Sequence, residues 1–219
     1  MAMIEIYLFI HPLCSDSLAS EKRILQMIQT EHKKVQFKFL PLLNLQSFQQ
    51  YLHTHHLETI DIHERNRLFE DSYSAALDYK AMQLQGKKKG RAFLLALQES
   101  ICIQQVGYTN LLVDDIVTNI GGDLAMFRAD RSSTIVRDSF MSDQETAKEM
   151  KVCKNTSAVV FNYACDRDFG VLIEEEPTSE ILHELFKTNE KTCFDNYTEQ
   201  STQIKASKLS DYCLRLIEN

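Results

Sequence analysis

The residues of this chain best suited to chemistry lie near its start, in Cys14-Ser15-Asp16-Ser17. A thiol at the first turn of a helix is acidified by the helix dipole and by free backbone N–H groups, and as a thiolate it attacks disulfides. The two-thiol form of such a site spaces its cysteines C-x-x-C. Here Ser17 stands where the resolving thiol would be, so a mixed disulfide formed at Cys14 has no internal route to release. Asp16, next to the sulfur, works against its ionisation. A second group is His53, His55, His56 and His63. Imidazoles at such spacing are zinc-ligand types. On a helix over 51–57, His53 and His56 share a face and His55 does not. No cysteine or paired carboxylate adjoins them in sequence, so they read as a solvated polar segment. No metal is expected, and His53 and His56 are the only metal candidates. A third group, Lys87, Lys88, Lys89 and Arg91, is a basic patch that reads as a solvated loop between helices or as a docking point for an acidic segment. There is no Gly-rich phosphate loop and no G-x-S-x-G elbow, and no cofactor is expected.

The elements that must position these residues follow from pattern. Of 219 residues, 44% are apolar and 25% charged, with only 6 Gly and 3 Pro. That composition suits a soluble, mostly helical chain and disfavours an all-β one, which needs many tight turns. The net charge of −7 argues against nucleic acid as the main partner. The longest nearly apolar run, Ile4 to Ile10, is too short to span a bilayer, and the N-terminus has no signal-peptide pattern, so a cytoplasmic chain with reduced thiols is expected. The six cysteines, at 14, 102, 153, 165, 193 and 213, fit no zinc-ribbon spacing.

Residues 3–10 read as a buried strand, 15–31 as a helix, and 34–40 as a second, alternating strand parallel to the first. Residues 43–150 then change character. They contain no proline and run at helical spacing, with a break at Gly86–Gly90, a short helix over 110–119, another from Asp123, and a last one over 142–150. Strands return at 157–163 and 170–174 as a hairpin across Cys165–Asp168, followed by a helix over 178–187. Residues 188–207 read as a linker and 209–217 as a terminal amphipathic helix.

This order is that of a thioredoxin-like α/β fold with a helical insertion. The expectation is a mixed four-stranded sheet built from a discontinuous domain, 1–42 and 151–219, with a helical domain, 43–150, inserted. Active folds of this kind carry a cis-proline before the third strand, facing the thiol. Here Ser157 holds that place, and without proline a cis bond costs about 2.5–4 kcal/mol, so a trans bond is expected.

Four stretches, Tyr7–Cys14 (YLFIHPLC), Ser72–Gly86 (SYSAALDYKAMQLQG), Lys89–Leu95 (KGRAFLL) and Glu149-Met150 before a strand, resemble the SpxH (YjbH) family of Gram-positive bacteria over about residues 3–175. The resemblance implies a DsbA-like fold and a cytoplasmic adapter that delivers an Spx-type transcription regulator to the ClpXP protease. Ser17 and Ser157 depart from the redox pattern and imply that Cys14 is not a working oxidoreductase centre. The alternatives are a thiol-disulfide oxidoreductase or isomerase, a monothiol glutathione-linked enzyme using Cys14, and a glutathione-transferase-like enzyme.

Overall fold

The computed structural model describes residues 3–31, 34–164, 169–174, 176–186 and 214–218. The chain divides into two compact units: 1–10, 19–40 and 147–219 form one, while 11–18 and 41–146 form the other. The second takes in the segment around Cys14 as well as the helical insert.

In the first unit, period-two patterning sets the sheet. Along β1 (Met3–Ile10) the side chains of Ile4, Ile6 and Leu8 are buried, while Met3, Glu5 and Tyr7 are half-buried. β1 sits between β2 (Lys34–Pro41) and β3 (Ala158–Asn162). The sheet continues to β4 (Phe169–Ile173) and β5 (Leu214–Glu218), in the order β2-β1-β3-β4-β5. β1 pairs antiparallel with β3, with Ile6 opposite Val160, and β3 with β4 as the expected hairpin. All of β3 is buried, as a central strand covered on both faces must be. Its Asn162 amide donates to the carbonyl of Leu185 at 2.8 Å and accepts from the Ala164 N–H at 3.0 Å, so this polar group is satisfied in the core. Gly170 is required by contact: a Cβ there would stand 2.6 Å from the Phe161 ring. Among the described residues, the helices of this unit are α1 (Ser15–Thr30), whose first turn belongs to the other unit, and α8 (Ser179–Phe186), which lies just after Pro177 as expected.

Two expectations change here. The sheet has five strands, and the segment read as a terminal helix over 209–217 contributes β5, paired antiparallel with β4. The sequence Leu214-Arg-Leu-Ile-Glu218 alternates well enough for a strand, and the waiting edge of β4 supplies the hydrogen bonds that decide it. The 165–168 turn and the 188–207 linker lie outside the described residues.

The second unit contains α2 (Leu45–Thr54), α3 (Ile62–Leu84), α4 (Lys87–Gln98), α5 (Asn110–Asn119), α6 (Leu124–Arg131) and α7 (Thr134–Glu149). Four of these starts carry a side-chain cap. Asn44 and Ser47 form a reciprocal capping box on α2, and Asp61, Thr109 and Asp123 cap α3, α5 and α6. The break after α3 is narrower than the Gly86–Gly90 segment suggested. Gly86 alone, at φ +123°, makes the turn, while Gly90 lies inside α4 because a Cβ would meet Gln83 at 2.6 Å. α7 starts earlier than the expected 142. Phe48, Leu52, Ala76, Leu43 and Phe140 form one apolar cluster of this unit. Two buried polar ties join its helices. Lys80 Nζ meets Asp143 at 2.8 Å. Asp78 receives Arg131 Nε at 2.8 Å and the Tyr108 hydroxyl at 2.6 Å. After α4 the helix loosens into a π-helical turn, Glu99–Ile103, which carries Cys102; the Gln104 N–H reaches back five residues to the Glu99 carbonyl.

Candidate functional site

Cys14 occupies the N-cap of α1. Its N–H donates to the His11 carbonyl at 3.2 Å, closing the His11–Cys14 turn, and its carbonyl accepts from Leu18 N–H to begin the helix. The side chain is only 5% exposed. Burial pushes the thiol pKa up. The N–H groups of Ser17 and Asp16 and the Ser17 hydroxyl pull it back, and the Asp16 charge adds to the rise, the opposition expected of that residue. The helix start thus offers donors to the sulfur without making it a free thiolate.

Ser17 is fully buried, and its hydroxyl oxygen accepts the His11 backbone N–H at 2.9 Å. The position that would carry a second thiol instead pins the turn before the helix.

The partner of Cys14 is His55, whose Nε2 lies 3.4 Å from Sγ. Its placement follows from how α2 ends. His55 is the C-cap, His56 adopts the left-handed conformation at φ +56°, and the Leu57 N–H returns to the Leu52 carbonyl while His56 N–H returns to His53. This is the Schellman pattern. The Asp16 carboxylate completes a group in which one ligand-type atom each from Cys14, Asp16 and His55 lie within 4.8 Å of one another.

Aromatic rings back this group. Tyr51 stacks on His11, with centroids 4.1 Å apart and planes 6° from parallel, and meets the His55 ring at 4.5 Å. His11 is fully buried. Burial, and secondarily His55, lower its pKa to about 3, so it is neutral. Its Nδ1 accepts the Leu13 N–H, which leaves the proton on Nε2, and that nitrogen has no hydrogen-bond partner. Tyr51 is pushed up to about 12 by burial, then by the Cys14 and Cys102 thiols. Cys102 is pushed up to about 11 by burial, then by Cys14 and Asp16, which puts it within the electrostatic reach of the same group.

Ser157 is buried beside the sheet. Its carbonyl accepts Phe9 N–H at 2.9 Å, it follows Thr156 at φ +65°, and no described peptide bond is cis. Lys87, Lys88, Lys89 and Arg91 sit in the first turns of α4 rather than in a loop; Lys87 and Lys88 are exposed. His53 is exposed and pairs with Glu58 at 2.6 Å, and His56 serves the helix end. Neither His53 nor His56, which share a helical face, lies at the thiol. His55, set aside because it leaves that face, is the one at the thiol. The signal for it was the end of α2, where a left-handed residue turns the chain back.

A family model described as thioredoxin (Thioredoxin_5) matches residues 7–184. The chain belongs to this thioredoxin family. Within its fold, Cys14 and Ser17 fall at the start of the first helix. Curated relatives include the ClpXP adapter protein SpxH of Bacillus subtilis (strain 168), 28% identical over 176 residues, which cover 73% of this chain and 58% of that protein. SpxH of Staphylococcus saprophyticus is 27% identical over 166 residues, covering 74% and 57%. The chain matches less than two thirds of the length of these relatives. Among solved structures, a candidate protein disulfide isomerase from Nitrosomonas europaea superposes with a TM-score of 0.62 at 15% identity, covering 84% of this chain and 95% of that one. DsbA2 of Pseudomonas aeruginosa gives 0.56 at 14% identity, covering 83% and 86%. DsbA of Xylella fastidiosa gives 0.53 at 15% identity, covering 72% and 73%. These similarities show the DsbA-type thioredoxin fold. No described helix is long and apolar enough to cross a membrane.

Proposed function

We propose that this thioredoxin-family chain is a non-catalytic cytoplasmic adapter that binds an Spx-type transcription regulator and promotes its degradation by ClpXP. The observation that carries the reading is Ser17. The residue that would resolve a mixed disulfide is a buried hydroxyl committed to the His11 N–H, beside a thiol whose pKa burial raises. Similarity to proteins named ClpXP adapter SpxH supports the adapter role and ClpXP as a partner. Lys87 and Lys88, exposed in an acidic chain, are suited to steering an acidic segment.

Two measurements test this. Insulin disulfide reduction should show no multiple turnover in the natural chain, and Ser17→Cys alone should not give full activity, since Ser157 also replaces the substrate-facing proline. Calorimetry should show binding of the regulator, with association slowed by Lys87→Glu/Lys88→Glu at low salt and less so at high salt. Turnover without regulator binding overturns the reading. The contact between Cys14 and His55 favours a second reading, a monothiol enzyme that accepts glutathione at Cys14. Turnover of a glutathione mixed disulfide that is lost in both Cys14→Ser and His55→Ala would establish it.

A further inference from the structure

We propose that Cys14, Asp16 and His55 form a binding site for a zinc-type divalent ion, with water in the fourth position. The donor set is thiolate, imidazole and carboxylate, the mixture that suits zinc and not the oxygen-seeking magnesium or calcium. The geometry is close to what such an ion needs. Bonds of about 2.3 Å to sulfur and about 2.0–2.1 Å to nitrogen at a tetrahedral angle put sulfur and nitrogen about 3.5 Å apart. Cys14 Sγ and His55 Nε2 stand 3.4 Å apart. The carboxylate of Asp16, on an exposed side chain, has an oxygen within 4.8 Å of both.

The surroundings support a site and not a chance contact. Sulfur and imidazole are each held by a defined helix terminus, the N-cap of α1 and the Schellman end of α2, so the backbone fixes the pair before any ion arrives. Tyr51 packs against the His55 ring and holds its plane. Tyr51 in turn stacks on the buried His11 ring, so the imidazole of His55 is backed by a fixed aromatic pair. On binding, the Cys14 S–H bond breaks, its proton goes to solvent, and the sulfur–metal bond forms with no change in oxidation state.

The inference does not depend on the adapter reading. The test uses the full chain, reduced and stripped of metal, titrated with Co2+ as a spectroscopic stand-in and then with Zn2+ as competitor. The expected result is one Co2+ per chain, with a thiolate-to-cobalt charge-transfer band and the visible bands of a four-coordinate site, all displaced by Zn2+. The charge-transfer band should vanish in Cys14→Ser. Affinity should fall at least about 10-fold in His55→Ala and less in Asp16→Asn. The double variant His53→Ala/His56→Gly, which keeps a residue suited to the left-handed position at 56, should bind as the natural chain does. In the natural chain, Zn2+ should also slow alkylation of Cys14, read by peptide mass spectrometry, which needs no variant to fold. Absence of the band at saturating Co2+, its persistence in Cys14→Ser, its loss in the His53/His56 variant, or alkylation unaffected by Zn2+ would each overturn the proposal.

Discussion

Lys80 and Asp143 link α3 to α7 through an ion pair 2.8 Å long, with side chains only 7% and 10% exposed. At an effective dielectric of about 20, unit charges at that distance attract by roughly 6 kcal/mol, a gain largely offset by the cost of taking both from water. The asymmetry between breaking and replacing the pair gives a sharp expectation. Lys80→Met leaves a buried carboxylate without its cation and should cost about 3–5 kcal/mol. In a chain of this size that lowers the melting midpoint by roughly 6–20 °C. The double variant Lys80→Met/Asp143→Leu removes the stranded charge and should recover at least half of the loss. Thermal and urea unfolding followed by far-ultraviolet circular dichroism measures both. A loss under about 1 kcal/mol for the single variant, or a double variant no more stable than the single, would refute the assignment of this pair as a buried, mutually dependent tie.

Gly170→Ala forces a Cβ to within 2.6 Å of the Phe161 ring and should destabilise the sheet unit by about 1–3 kcal/mol in urea unfolding. His56→Gly relieves an L-residue held at φ +56° and should stabilise the chain by up to about 1 kcal/mol in the same assay, while leaving the Cys14–His55 contact in place. Burial raises Asp78 to about 6 against the pull of Arg131 and Tyr108. The folded state then holds that proton more tightly than the unfolded state, so the contribution of Asp78 to stability falls as pH rises from about 4 to about 6. Subtracting the stability of Asp78→Asn from that of the natural chain should reveal that downward slope, and a flat or rising difference would contradict it.

Much of the fold was legible because its signals are local. The apolar run over 4–10, the alternation over 34–40 and the helical spacing within 43–150 each act over a few residues. What stayed hidden depended on distant partners. β5 was mistaken for a helix because five residues of mixed periodicity are ambiguous until the free edge of β4, some forty residues earlier, resolves them. The lysine patch was assigned to a loop because Gly86 and Gly90 look alike in sequence. α4 runs through Gly90, where a side chain would collide with Gln83, and only Gly86 interrupts the helices. At the candidate site, Cys14 and Ser17 were visible as a helix-start pattern. His55 was not, because it comes from 41 positions away and leaves the helical face that joins His53 to His56. The roles of Ser17 as an acceptor and His11 as a buried ring likewise exist only once the turn has closed.

The most direct test of the account is the half-life of a purified Spx-type regulator in the presence of ClpXP, measured with the natural chain, with Cys14→Ser, and with neither. The account predicts that both forms of the chain shorten the half-life equally, since delivery by an adapter requires no thiol chemistry. An unchanged half-life at micromolar concentrations of the natural chain, or acceleration that disappears with the Cys14 sulfur, would contradict it.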